Sequence, residues 1–161
     1  MKLTLFAFAL LFTVTLSASI VPGTYKISCV ANSHVFDIEY GANSDSSNLI
    51  VYPWHGGNNQ RFTVNYVDGS WATLVALNSN KALTVKSNTD GASFTQQTVT
   101  ENANQQFKFL IAKDGSYLIK NRASGLVLNC NSSVKSAGSN RLAIQEKRSC
   151  NANEKFAFTK L

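Results

Sequence analysis

The stretch Asn59-Gln60-Arg61-Phe62-Thr63-Val64 decides the architecture, because it comes back twice. It recurs as Asn104-Gln105-Gln106-Phe107-Lys108-Phe109 and as Asn153-Glu154-Lys155-Phe156-Ala157-Phe158, with the leading phenylalanines 45 and 49 residues apart. A second marker precedes each copy: Gly23-Thr24-Tyr25, Gly69-Ser70-Trp71 and Gly115-Ser116-Tyr117, whose aromatics are spaced 46 and 46 residues. Each opens at a turn signal, Pro22-Gly23, Asp68-Gly69 or Asp114-Gly115. Ten or eleven residues past the aromatic comes a third marker, Val35-Phe36-Asp37-Ile38, Ala82-Leu83-Thr84-Val85 or Val127-Leu128-Asn129-Cys130. Three markers in one order, three times over, predict three units of about 47 residues, at about 20–68, 69–114 and 115–161. Tyr25, Trp71 and Tyr117 are then expected at equivalent positions, and Phe62, Phe107 and Phe156 in the core.

Within a unit the apolar runs are short and alternating, as in Leu49-Ile50-Val51-Tyr52 and Tyr117-Leu118-Ile119-Lys120, with Gly, Asn, Asp and Ser between them. No window has clear helical spacing. About four strands per unit give an all-β chain of about twelve strands. One unit cannot bury its own apolar face, so the three must share one core, as in a threefold barrel that leaves few open edges.

The composition fits one domain. The chain has 161 residues, 44% hydrophobic and 15% charged, with two prolines. The formal charge of +6 is scattered, and no basic cluster of the kind nucleic acid requires is present. Met1-Lys2, the apolar run Leu3–Leu16 and the small residues Ser17-Ala18-Ser19 read as a secretory leader cut after Ser19. The expectation is a secreted, extracellular domain over 20–161, with no membrane insertion. Of the three cysteines, Cys130 and Cys150 enclose a stretch rich in Ser, Asn and Lys and are the preferred disulfide. Cys29, in an alternating strand, is expected to stay reduced as a buried small hydrophobe. Asn131-Ser132-Ser133 is a candidate glycosylation acceptor.

Together the repeats resemble the ricin-B-type lectin family, β-trefoil domains marked by Gln-x-Trp. Here the motif reads Gln60-Arg61-Phe62, Gln105-Gln106-Phe107 and Glu154-Lys155-Phe156, with Phe in place of Trp. The resemblance implies a pseudo-threefold β-trefoil and a sugar pocket built from an Asp in the third marker, an aromatic fifteen residues on, and the Asn before the Gln. In the first unit these positions read Asp37, Tyr52 and Asn59, followed by Gln60, with Trp54 and His55 close enough to border a ligand. A carboxylate accepts hydrogen bonds from neighbouring sugar hydroxyls, an aromatic face stacks on a pyranose, and an amide both donates and accepts. The second unit has Thr84 and no aromatic near Gln97. The third has Asn129 and Asn153 as a second candidate site. The family's usual preference is galactose or N-acetylgalactosamine, so the expected partners are glycans or glycoproteins. Plainer roles stand beside these: Asp37 capping a turn or pairing with Lys26, Gln60 bonding buried backbone, Tyr52 as barrel surface, Trp54 as a lid.

Catalytic signatures are missing: there is no His-Glu-x-x-His, no Gly-x-Ser-x-Gly and no Gly-rich phosphate loop. Neither a metal nor a cofactor is expected. The competing reading is a β-trefoil protease inhibitor or defence protein acting through an exposed loop, 43–48 or 131–140.

Overall fold

The structure, a computed structural model, describes residues 19–130, 136–138 and 140–161. The expected leader up to Ala18 and the glycosylation candidate Asn131 lie outside the described residues. Twelve strands follow in order: β1 (Gly23–Cys29), β2 (Val35–Ile38), β3 (Leu49–Tyr52), β4 (Phe62–Asp68), β5 (Trp71–Ala76), β6 (Ala82–Val85), β7 (Phe94–Gln97), β8 (Phe107–Ile111), β9 (Tyr117–Asn121), β10 (Val127–Asn129), β11 (Ile144–Glu146) and β12 (Phe156–Lys160).

Six of these strands close a ring, with antiparallel pairs β1·β4, β4·β5, β5·β8, β8·β9, β9·β12 and β12·β1. The other six form three hairpins, β2·β3, β6·β7 and β10·β11. The hairpins knit together through the bridges Asn48–Thr95, Ser93–Ile144 and Ile50–Leu142. This is a β-trefoil, and ring closure leaves no barrel edge to pair with another chain. Alternation sets the inward face: in β1, Tyr25, Ile27 and Cys29 are buried while Lys26 and Ser28 are only partly so. Phe62, Phe107 and Phe156 are fully buried, joined by Phe36 and Phe94 from the hairpins. Ring centroids stand 5.1 Å apart for Phe36–Phe156, 6.0 Å for Phe94–Phe107 and 6.1 Å for Phe36–Phe62.

Two expectations fail. Trp71 is not the counterpart of Tyr25 and Tyr117. Those two face Phe62 and Phe156, but Phe107 is faced by Ala72. The β4·β5 ladder carries a bulge between Tyr66 and Asp68, beyond which Asp68 pairs with Trp71. A one-residue slip turns a side chain to the other face. Here the inward residues of β5 are Ala72, Leu74 and Ala76, one step out of phase with the sequence marker, and Trp71 lies outside beneath Arg122 (5.3 Å to the ring centroid) and Lys108 (6.0 Å).

The disulfide is Cys29–Cys130, not Cys130–Cys150, and Cys150 is the exposed free thiol. Cys29 is the last inward residue of β1, opposite Phe156, and Cys130 follows β10 with its N–H on the Asn153 carbonyl. Both sit in the main core, with Cα atoms 6.2 Å apart. Cys150 is turned outward at φ +60°, its N–H donated to Glu154 Oε2. Nearness in sequence pointed to the wrong pair because the barrel brings the ends of β1 and β10 together across 101 residues.

Candidate carbohydrate site

Each hairpin is followed by a short 3₁₀ turn, Asn58–Gln60, Ala103–Gln105 or Ala152–Glu154, which carries the Asn-Gln part of the repeat beneath the hairpin. In the first unit Asp37 is the third residue of β2, opposite Ile50 of β3, and only 3% exposed. Three groups hold its carboxylate: Asn59 Nδ2 donates to Oδ1 at 2.9 Å, Gln60 Nε2 to Oδ2 at 2.8 Å, and His55 Nε2 lies 3.2 Å from Oδ2. Burial pushes the Asp37 carboxyl above the ordinary aspartate value of 3.8, against the opposing pull of Gln60, His55 and Asn59.

Gln60 is fully buried and fastens the wall. Its Oε1 accepts from the N–H groups of His55 (2.8 Å) and Gly56 (3.2 Å), and its Nε2 also donates to the Pro53 carbonyl at 2.9 Å. The backbone-bonding reading of Gln60 therefore holds together with a bond to Asp37. Gly57 leaves room for these side chains: a Cβ there would fall 2.5 Å from Asn59 Oδ1 and 2.7 Å from His55 Cε1, so both would have to shift.

Asp37, Tyr52, His55 and Asn59 line a cleft of about 360 Å³, completed by Tyr40, Gly41, Ile50 and Asn140. The sequence reading missed Tyr40, Gly41 and Asn140. Gly41 carries the one available signal, a Gly four residues past the Asp, where the chain needs φ +62°. Tyr52 is 44% exposed, its ring edge-on to His55 at 6.3 Å. Trp54 does not line the cleft. Its ring lies under Lys26 Nζ at 5.4 Å, so Lys26 stacks on Trp54 and is not among the partners of Asp37.

The other units differ chemically. In the second, Thr84 Oγ1 accepts from Gln105 Nε2 at 3.1 Å and donates to the Ala82 carbonyl, so a small hydroxyl replaces the carboxylate. In the third, Asn129 Nδ2 donates to Glu146 Oε2 at 2.7 Å, while Glu154 accepts from the N–H groups of Ser149 and Cys150. Neither Asn129 nor Asn153 lines the cleft beside them, which is formed by Asp90, Gly91, Glu146, Lys147 and Ser149. Among the described residues no three His, Cys, Asp or Glu side chains gather to hold a metal.

The comparisons agree with this geometry. A family model for the ricin-type beta-trefoil lectin domain-like family matches residues 10–97, 68–144 and 103–161. No curated protein sequence matches. Among solved structures the chain is similar to the designed threefold-symmetric protein ThreeFoil, with a TM-score of 0.80 and 30% identity over 86% of this chain and 99% of that one. It is also similar to the Rhizoctonia solani agglutinin, with a TM-score of 0.77 and 21% identity over 89% of this chain and 99% of that one. The Macrolepiota procera ricin B-like lectin, solved in complex with lactose, gives a TM-score of 0.70 and 21% identity over 89% of this chain and 100% of that one. With model matches running from the first unit to the last, the chain belongs to the ricin-type β-trefoil lectin domain-like family.

Proposed function

We propose that the protein is a secreted lectin that binds galactose- or N-acetylgalactosamine-type glycans through its first unit, without catalysing a reaction. One observation carries the reading: a buried carboxylate, an exposed aromatic face and an amide line the same cleft at Asp37, Tyr52 and Asn59. The neighbouring Macrolepiota procera structure holds lactose, a galactose-ended sugar, on the same fold.

In this reading two adjacent sugar hydroxyls donate to Asp37, and the apolar face of the pyranose rests on Tyr52. A carboxylate has about four acceptor positions, of which Asn59, Gln60 and His55 engage three. His55 is the partner that yields, because its side chain is half exposed and its bond is the longest of the three. Asn59 remains to fix the carboxylate. A shallow site of this kind binds a monosaccharide at about 1 mM, or about −4 kcal/mol.

The inhibitor reading loses support at loop 43–48. That loop lies against the second unit, with Gln96 Nε2 on the Ala42 and Ser44 carbonyls and Asp45 on the Thr98 N–H, so it does not protrude.

A glycan array probed with wild type and Asp37→Asn, run beside a protease-inhibition panel, tests the reading. Binding of galactose-ended glycans that the substitution abolishes supports it, and inhibition without glycan binding replaces it. Secretion rests on the leader pattern of residues 1–19 and is checked by finding Ile20 at the N-terminus of exported protein.

A further inference from the structure

The pseudo-threefold arrangement has a regular feature at its hairpin end: the loop of one unit overhangs the hairpin of the next. Loop 43–48 reaches the second unit and loop 87–91 reaches the third. In both, a glutamine and an aspartate fasten the overhang. Gln96 holds the Ala42 and Ser44 carbonyls while Asp45 takes the Thr98 N–H. Gln145 holds the Ser87 and Thr89 carbonyls while Asp90 takes the Lys147 N–H.

The first unit has lost both fasteners. Ladder register puts Val51 at the position of Gln96 and Gln145, and the residue two further on, where Thr98 and Lys147 offer an N–H, is Pro53. Valine has no amide and proline has no N–H. The overhang that reaches this unit comes from the third. Val51 N–H bonds the Arg141 carbonyl as Gln96 bonds Ser47 and Gln145 bonds Ala92, so Asn140 takes the place of Ser46 and Gly91.

A different anchor holds it. Glu39 is buried; its Oε1 accepts from Asn140 Nδ2 at 3.1 Å and from Ser136 Oγ, and its Oε2 from Asn48 Nδ2 at 2.8 Å. Beside it stands Tyr40, 80% exposed and at φ +58°, a conformation rare for a bulky residue. Its hydroxyl lies against Gly138, where a Cβ would have to displace the tyrosine ring. Strain at an exposed aromatic on the rim of a cleft is the kind of outlier that marks a binding role.

Resting on the lectin reading above, we propose that the cleft takes an oligosaccharide: the terminal sugar sits at Asp37, Tyr52 and Asn59, and a second residue of the glycan lies against Tyr40 and Asn140. Tyr40 supplies a stacking face and Asn140 an amide. Glu39 is a positioning residue that holds the Asn140 segment over the cleft without touching the glycan.

The test is an affinity ratio, extended glycan over monosaccharide. Wild type, Tyr40→Asn, Asn140→Ala and Glu39→Gln are titrated calorimetrically and on an array of mono- to tetrasaccharides ended in galactose, N-acetylgalactosamine, glucose, mannose or fucose. Asparagine tolerates the left-handed backbone, so Tyr40→Asn removes the ring without forcing the turn to rearrange. In wild type the ratio is roughly five- to tenfold, the scale of one stacked ring or one hydrogen bond. It falls toward one in Tyr40→Asn and Asn140→Ala. Glu39→Gln lowers the same ratio while leaving monosaccharide affinity unchanged, which a general loss of stability would not do. Equal affinities for short and long glycans in wild type, or a ratio that survives all three substitutions, overturns the second subsite and leaves the lectin reading standing. No binding to any sugar removes both.

Discussion

In the first unit an amide, Gln60, stands beneath a carboxylate, Asp37; at the matching positions of the third unit a carboxylate, Glu154, stands beneath an amide, Asn129. The exchange reverses what each site can offer. In the first, the amide's N–H is given to the acid, and the acid faces the cleft as a charged acceptor. In the third, Glu154 is occupied with the backbone of Ser149 and Cys150, and Asn129 turns its donor to Glu146 at the end of β11. The third unit therefore carries its carboxylates beneath the hairpin, on Glu154, and at the end of β11, on Glu146, with none at the position of Asp37. Near-identical strand patterns thus support a polar cleft in one unit and a self-satisfied network in the other. Which partner carries the charge, more than the fold, sets the difference.

The units also differ in how they are held, and that gives the largest expected effect. The third unit is tied to β1 by Cys29–Cys130, which closes a loop of about a hundred residues. Cys130→Ser is expected to lower stability by about 4–5 kcal/mol in the chain-entropy model, measured by urea denaturation, while Cys150→Ser changes it by less than about 0.5 kcal/mol. An equal loss in both would mean that the exposed thiol pairs after all.

Sugar binding separates the units next. Asp37→Asn keeps shape but loses the charged acceptor and is expected to weaken binding by about 1.5–3 kcal/mol, read by calorimetry. Tyr52→Ala costs about 0.5–1.5 kcal/mol through lost stacking, and Thr84→Ala leaves affinity unchanged. The reverse experiment sharpens the comparison: Asn129→Asp with Glu154→Gln restores acid over amide in the third unit. With no aromatic there, it is expected to give detectable binding weaker than that of the first.

Acid should act on binding and on the fold in opposite directions. The Asp37 carboxyl is raised by burial, so ionising it in the folded chain disfavours the fold. Its contribution to stability is therefore greatest at low pH and declines as pH rises from 3.8 through the raised folded value. Binding, which needs the ionised acid, is lost as pH falls through that raised value. Glu39 shifts the other way: burial alone would raise it, but the bonds from Asn48, Ser136 and Asn140 outweigh that and lower it. Its support for the fold is present above the ordinary value and is lost only below it. A titration from pH 7 to pH 4 should show affinity falling before thermal stability does. Simultaneous loss of both would tie the cleft to global unfolding.

Much of this was legible because repetition is a period, and a period survives substitution. Phe62, Phe107 and Phe156 announced the core, and the resemblance to the lectin family pointed to Asp37, Tyr52 and Asn59 as the candidate pocket. What failed did so for want of register and of third-dimensional neighbours. The 46-residue spacing of Trp71 hides that the inward positions of β5 are Ala72, Leu74 and Ala76, so Ala72 takes the core place and Trp71 faces outward. Cys29 and Cys130 meet across a core that no local pattern describes. Asn140 reaches Glu39 from the far end of the chain, because the threefold arrangement lays each unit's loop over its neighbour.

The most direct test of a single sugar cleft in the first unit is a lactose titration of the isotope-labelled protein, followed by amide and side-chain NMR shifts. The account predicts saturable shifts centred on Asp37, Tyr52, His55 and Asn59, and none at Thr84 or Asn129. Shifts centred on Asn129 and Asn153, or none at tens of millimolar lactose, would contradict it.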